Sequence, residues 1–199
     1  MPCGPAAERA RGLSAPARVP RAPRGYLRPK DEAGGGLRIS YRALGPQDLG
    51  ALSDIVGHWE VVRQLGSFPW PADPVFNATR AQAYQGDGFV WAILRDGGMV
   101  GTVAVTGDEL GYMLHPGQWR QGIGRRAVGA ALAEAFGRLG RGRIVADVWA
   151  DNAASLGVLA GFGFVRVRDE VVMSKARGVP TASCRLELTR TAWEAHGIP

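Results

Sequence analysis

The sequence predicts a mixed α/β domain, a largely antiparallel sheet flanked by helices, and three observations carry that prediction. Short apolar runs that alternate with a period of two lie between segments of helical period. A glycine turn at residues 119–126 separates one such strand from an amphipathic helix. A second strand-to-helix step follows it and closes at Gly163-Phe164.

The elements follow in order. Residues 37–43 alternate well enough for a first strand. Pro46, at a first helical position, opens a helix to about residue 56, and a short one covers 58–65. Ser67-Phe68-Pro69-Trp70-Pro71 is a proline-stiffened loop, and Asp73-Pro74 caps a helix over 74–84. Residues 89–95 and 99–106, split by Asp96-Gly97-Gly98, form a hairpin. Residues Glu109–Leu114 are a further strand. Over 125–139, Val128, Leu132, Ala135, Phe136 and Leu139 share one helical face. A strand over 143–148, a helix over 152–160 and closing strands over 164–173 and 185–188 complete the pattern. The domain therefore spans residues 37–193, with 194–199 as a C-terminal tail.

Charge separates the domain from its N-terminal extension. The net charge is +6, and residues 1–30 carry all of it, with seven basic side chains against Glu8 alone. The remainder balances 17 basic against 17 acidic residues, so the folded domain lacks the Lys/Arg excess that phosphate backbones require. Residues 1–36, rich in Pro, Ala, Gly and Arg, are expected to be disordered. A solvated tail, a mis-set start, an RNA-touching arm and a transit segment all stay open for them. Cys3 and Cys184 form no disulfide or metal framework, and His58, His115 and His196 lack ligand spacing, so no metal is expected. No apolar run approaches the ~18–20 residues of a membrane span, and a cytoplasmic protein is expected.

The chemistry-bearing segment is Leu114-His115-Pro116-Gly117-Gln118-Trp119-Arg120-Gln121-Gly122-Ile123-Gly124-Arg125-Arg126. Backbone N–H groups at a helix start have no intrahelical partner and converge on a phosphate, aided by the helix dipole. Glycine keeps the space beside them clear. By itself, a G-x-G step is equally a tight strand-to-helix turn. The second segment, Asp151-Asn152-Ala153-Ala154-Ser155 into Val158-Leu159-Ala160-Gly161-Phe162-Gly163-Phe164, is likewise compatible with ordinary capping by Asn152 and Gly163. Order and spacing of the two together are what matter.

Together they resemble the acetyl-CoA-binding core of the GNAT superfamily of N-acetyltransferases, and within it the RimJ/RimL-type branch. Trp119-x-x-Gly122-x-Gly124, Asn152-x-x-Ser155-x-x-Val158-Leu159 and Gly163-Phe164 carry the resemblance. Arg125-Arg126 replaces a frequent Thr-Glu, and Ala160-Gly161 a usual Glu-Lys. The resemblance implies a GNAT-like sheet of about seven strands, splayed where acetyl-CoA enters as co-substrate. It implies a cofactor site made of Met113, Leu114, Trp119, Arg120, Gln121, Gly122, Ile123, Gly124, Arg125, Asn152 and Ser155. The strand backbone near Met113 and Leu114 would polarise the thioester carbonyl.

Direct transfer to an amine needs a proton acceptor and a partner for the departing thiolate. Glu109 is the candidate base, acting through water, with Asp108 as its rival; either is also an ordinary strand-end charge. Many GNAT enzymes place a Tyr acid where this chain has Leu159, so the resemblance assigns the thiolate to Ser155, whose other reading is first-turn capping. The loops 68–71 and 174–180 are expected to flank the acceptor groove, with Trp70 and Trp149 lining it. The acceptor is a peptide N-terminus or a small-molecule amine, and the alternative is a catalytically idle acyl-CoA-binding module. No membrane partner is expected, and the oligomer is a monomer or homodimer.

Overall fold

The computed structural model describes residues 38–196, so the expectations for residues 1–37 and for 197–199 lie outside the described part of the chain. Seven strands form one sheet: β1 (Ile39–Ala43), β2 (Gly88–Arg95), β3 (Gly98–Thr106), β4 (Glu109–Leu114), β5 (Arg143–Trp149), β6 (Val165–Met173) and β7 (Pro180–Thr189). Their order is β1-β2-β3-β4-β5-β7-β6. Every neighbouring pair is antiparallel except β4–β5, which is parallel. The expected mixed, mostly antiparallel sheet is the observed one.

Helices α1 (Leu49–Val56), α2 (Trp59–Val62) and α3 (Pro74–Arg80) cover one face, and α4 (Ile123–Ala133), α5 (Ala153–Ala160) and α6 (Arg190–Ala195) the other. Because side chains alternate along a strand, each face has its own core. On the α4 side, Val103, Val105, Leu110 and Leu114 meet Val128, Leu132, Phe136 and Leu159. On the α1 side, Leu52, Ile55 and Val62 meet Phe68, Met113 and Ala176.

Several boundaries move, each for a local reason. Pro46–Asp48 is a 3-10 turn before α1, and Asp73 caps α3 by accepting from the N–H groups of Val75 and Phe76. The helix expected to reach residue 84 stops at Arg80, because the buried Ala81 already turns the chain toward Gly88. The helix expected over 125–139 starts two residues earlier and widens into a π-helical turn at Glu134–Arg138, where the buried Glu134 pairs with Arg138. The strand expected over 185–188 is ten residues long, since Ser183 and Cys184 also pair with Trp149 and Val148 of β5. Residues 194 and 195 belong to α6 rather than to a tail: Thr189 Oγ1 caps the helix, and Trp193 stacks on Phe136 at 5.7 Å.

Close packing of β3 against β4 depends on one residue. A Cβ at Gly101 would lie 2.2 Å from the Met113 carbonyl oxygen, so only glycine lets the strands approach where β4 turns toward α4. Among the described residues, no helix is long and apolar enough to cross a membrane.

Candidate active site

The sheet opens between β4 and β5. These strands pair only at Glu109↔Val145, secured by the Val145 N–H donating to the Asp108 carbonyl at 2.9 Å. Beyond that point they diverge, and the backbone of Met113 and Leu114 on one wall is left without a β5 partner. A parallel pair broken after one step is a wedge-shaped slot with unpaired peptide groups on its sides.

The turn leaving β4 is held in shape by its own side chains. Trp119 Nε1 donates to the Leu114 carbonyl at 3.0 Å, and Gln121 Nε2 to the Gly117 carbonyl at 3.1 Å. Arg95 reaches across from β2 to Gln118 Oε1 at 2.6 Å and Gln121 Oε1 at 2.7 Å. Gly122 sits in the left-handed region at φ 75°, and a Cβ there would meet nothing within 4 Å. Arg120, exposed, also has a positive φ of 60°. Ile123 is buried and fixes the start of α4 to the core. The first helical bond runs from Arg126 N–H to the Gly122 carbonyl at 3.1 Å, so the N–H groups of Ile123, Gly124 and Arg125 precede the ladder. Open space, a helix start and these N–H groups suit a pyrophosphate. The Arg125 guanidinium turns the other way, 5.0 Å over the Phe162 ring, and ties α4 to the end of α5.

The second wall comes from α5. Asn152 Oδ1 accepts from Ser155 N–H at 3.1 Å, the capping geometry expected of it. The helix closes with Phe164 N–H to the Leu159 carbonyl and Gly163 N–H to the Ala160 carbonyl, a left-handed glycine cap. Leu159 is buried in the core and offers no proton. A different phenol stands nearby. Tyr112, on β4, packs against Gly124, and its hydroxyl is buried without a hydrogen bond of ordinary geometry. Burial pushes its pKa above the usual value, and the Ser155 side chain opposes part of that rise.

Glu109 and Met113 share the opposite face of β4, with Gly111 between them. They stand four residues apart, about 13 Å along a strand. A Cβ on Gly111 would meet nothing within 4 Å, so the floor between them is open. Glu109 is exposed. Its rival Asp108 lies between two guanidinium groups, Arg141 at 3.7 Å and Arg143 at 4.0 Å. The two loops expected at the acceptor groove do converge here: Phe68 and Ala176 pack in one cluster with Met113. Trp70 is exposed beside Trp59, at 5.4 Å between rings, whereas Trp149 is buried beneath Arg177 and acts in packing.

A model of the Acetyltransferase (GNAT) domain matches residues 38–165. This chain belongs to the GNAT acetyltransferase family. No curated protein sequence matches it. Spermidine N-acetyltransferase from Vibrio cholerae, solved with CoA and spermine, has the same fold with a TM-score of 0.68 at 16% identity, over 78% of this chain and 98% of that one. RimJ from Mycobacterium smegmatis, solved with CoA-disulfide, gives 0.65 at 20% identity over 80% and 89%. Ribosomal-protein-S5-alanine acetyltransferase from Vibrio fischeri gives 0.59 at 18% identity over 78% and 94%.

This GNAT domain also brings together residues that sequence spacing keeps apart. Asp54, His58 and His115 place ligand-capable atoms within 4.8 Å of one another. The imidazoles meet edge to face at 4.8 Å, and His115 Nε2 lies 3.5 Å from Asp54 Oδ2. His115 Nδ1 accepts from Gly117 N–H at 3.1 Å, which puts the neutral ring's proton on Nε2 and aims it at Asp54 as a donor. The trio therefore braces α1 against the turn leaving β4. Tyr112 and this trio were missed because their partners come from distant elements, and no local spacing signals them.

Proposed function

We propose that this GNAT protein is an N-acetyltransferase of the RimJ/RimL type, moving the acetyl group of acetyl-CoA directly to a primary amine. The observation that carries the reading is the β4–β5 slot, which ends at an uncovered helix start on one side and at the Met113 face on the other. In this reading the N–H groups of Ile123, Gly124 and Arg125 and the open space at Gly122 hold the pyrophosphate. Arg120 adds positive charge at the rim, while Trp119, Gln121 and Asn152 hold the turn and the helix start in place. The backbone of Met113 and Leu114 lines the slot and hydrogen-bonds the pantetheine and thioester carbonyl. Ser155 faces the sulfur, and Glu109 draws the amine proton through water along the open floor at Gly111.

The acceptor enters between the 68–71 and 174–180 loops and is a peptide N-terminus or a small amine. The spermine complex of one structural neighbour and the ribosomal-protein substrate of another make both classes reasonable probes. Thiol release from acetyl-CoA, measured against polyamines, free amino acids and peptides beginning with Ser or Ala, tests the reading. Turnover with one class names the acceptor. The buried Leu159 supports a second reading, a catalytically idle acyl-CoA-binding module. Acetyl-CoA binding without turnover on any acceptor would establish that module instead.

A further inference from the structure

Asp54, His58 and His115 come from three separate places: the last turn of α1, the residue that opens α2, and the start of the turn leaving β4. The geometry points to a divalent metal site at this trio, one that takes a zinc-class ion through one carboxylate and two imidazoles. The site stands on its own residues, whatever the acetyl acceptor proves to be.

Distances carry it first. Tetrahedral zinc holds nitrogen and oxygen ligands at about 2.0–2.2 Å, which sets neighbouring ligand atoms roughly 3.3–3.5 Å apart. His115 Nε2 and Asp54 Oδ2 stand 3.5 Å apart, long for a hydrogen bond and the right length for two ligands of one ion. Ligand-capable atoms of all three residues lie within 4.8 Å of one another. Closing the remaining gap asks His58 to shift by no more than about 1.5 Å. His58 is partly exposed and meets His115 edge to face, a contact that tolerates a small rotation of the ring.

Donor chemistry and access agree with the distances. Two imidazoles and a carboxylate suit zinc and its neighbours, whereas magnesium and calcium prefer oxygen ligands throughout. Glu60 Oε1, 3.8 Å from His58 Nδ1, puts a second negative charge beside the same ring and so favours a dication. Asp54 is 69% exposed, so water can fill the position that three protein ligands leave open.

Occupancy moves one proton. The neutral His115 ring carries it on Nε2 while Nδ1 accepts from Gly117 N–H at 3.1 Å. An ion at Nε2 needs the lone pair there, so the proton passes through solvent to Nδ1, and none is lost overall. Nδ1–H and Gly117 N–H then face each other as two donors, and that hydrogen bond opens. One neutral hydrogen bond is a small loss beside three metal–ligand bonds. The ion thus replaces a single long contact with a clip across α1, α2 and the turn.

Zinc titrated into the full chain by calorimetry should bind one-to-one and raise the melting temperature, and magnesium should do neither. Asp54→Asn, His58→Gln and His115→Asn each remove one ligand, and each should weaken zinc at least roughly tenfold. His115→Asn keeps a side-chain oxygen as acceptor for Gly117 N–H, so its melting temperature without zinc should stay near the original. Cys3→Ser combined with His196→Asn should bind zinc like the unaltered chain. In the unaltered chain, zinc should also speed hydrogen exchange at the Gly117 amide, and in the three ligand variants it should not. Absence of one-to-one binding, undiminished affinity in any ligand variant, loss in the Cys3/His196 double variant, or unchanged exchange at Gly117 would each overturn the site.

Discussion

Arg177, in the loop between β6 and β7, grips Asp151 with both ends of its guanidinium: Nη1 to Oδ2 at 2.9 Å and Nη2 to Oδ1 at 2.9 Å. Its Nε donates to the Arg63 carbonyl at 2.9 Å, and Arg63 itself reaches Asp151 at 2.8 Å. One arginine thus ties together the end of α2, the entry to α5 and the loop that carries Ala176. Arg177→Ala should raise the acceptor KM severalfold while costing no more than ~1 kcal/mol of stability, because Asp151 is partly exposed. Arg177→Lys should not restore the KM, since an ammonium cannot make the two-pronged bond. The Arg177 guanidinium holds the Asp151 carboxyl below its usual range, against burial, which would raise it, and with help from Arg63. A lowered folded value means that the stabilisation is present above the unfolded value of about 3.9 and fades as pH falls through the folded one. Loop ordering should therefore persist on acidification to near pH 4, as hydrogen exchange across 174–179 can show.

A second carboxylate supports the fold rather than the slot. Asp48 is buried; burial would push its carboxyl up, but the Arg42 guanidinium and the Gly45 N–H outweigh that and leave it lowered. Arg42 binds it through Nη1 and Nη2, each at 2.6 Å, and so joins β1 to the start of α1. Asp48→Asn should cost about 1.5–3 kcal/mol, the range for a hydrogen bond to a charged group. Urea midpoints should fall with an unchanged slope at pH 7, and the gap to the original should narrow below about pH 4 as the carboxyl protonates.

What the amino-acid order made legible was whatever depends on near neighbours. Alternation marked β2, β3 and β4, and the Val128–Leu132–Phe136 spacing marked α4. The turn at Gly122 was readable because a left-handed position and a helix start leave a local trace. Residues 180–184 hid as strand because their pairing to β5 and β6, not their own alternation, makes them one. The last helix hid because a single Trp193 anchors it to Phe136, too little for a periodic face. Within the site, Asn152 kept its capping role, whereas Arg125 stacks on Phe162 and the Asp54–His115 approach joins elements far apart in the chain.

Gly122 separates backbone need from cofactor need. An alanine there meets no atom but must hold φ 75°, a strain of about 1–2 kcal/mol. Gly122→Ala should therefore lower stability by that amount. If the open space is where the pyrophosphate sits, acetyl-CoA affinity should fall by roughly tenfold or more, well beyond the change for a remote variant of equal stability. Calorimetric titration with acetyl-CoA checks it, and unchanged affinity would move the phosphate site elsewhere.

Ser155 and Glu109 make opposite demands on the kinetics. If Ser155 meets the departing sulfur as proposed, it matters only once the sulfur carries charge, so in Ser155→Ala turnover should fall roughly tenfold while acetyl-CoA affinity changes little. Unchanged turnover would remove Ser155 from the mechanism and leave it as first-turn packing beside Asn152. Glu109→Gln keeps the shape of the β4 entry but cannot take a proton. Its effect should appear in the pH profile: the acid limb of kcat/KM, which reports the free base, should shift or flatten, with turnover down by about 10²-fold. About 13 Å of open floor lies between Glu109 and Met113, so a transfer to Glu109 as proposed would run through ordered water. Filling that floor should then copy the effect. Gly111→Val introduces a side chain into space where even a Cβ meets nothing, so the strand should tolerate it while the water path is blocked. A variant that folds normally, binds acetyl-CoA normally and loses turnover as Glu109→Gln does would tie the base to the slot. Full activity in Gly111→Val would dismiss Glu109 as the base.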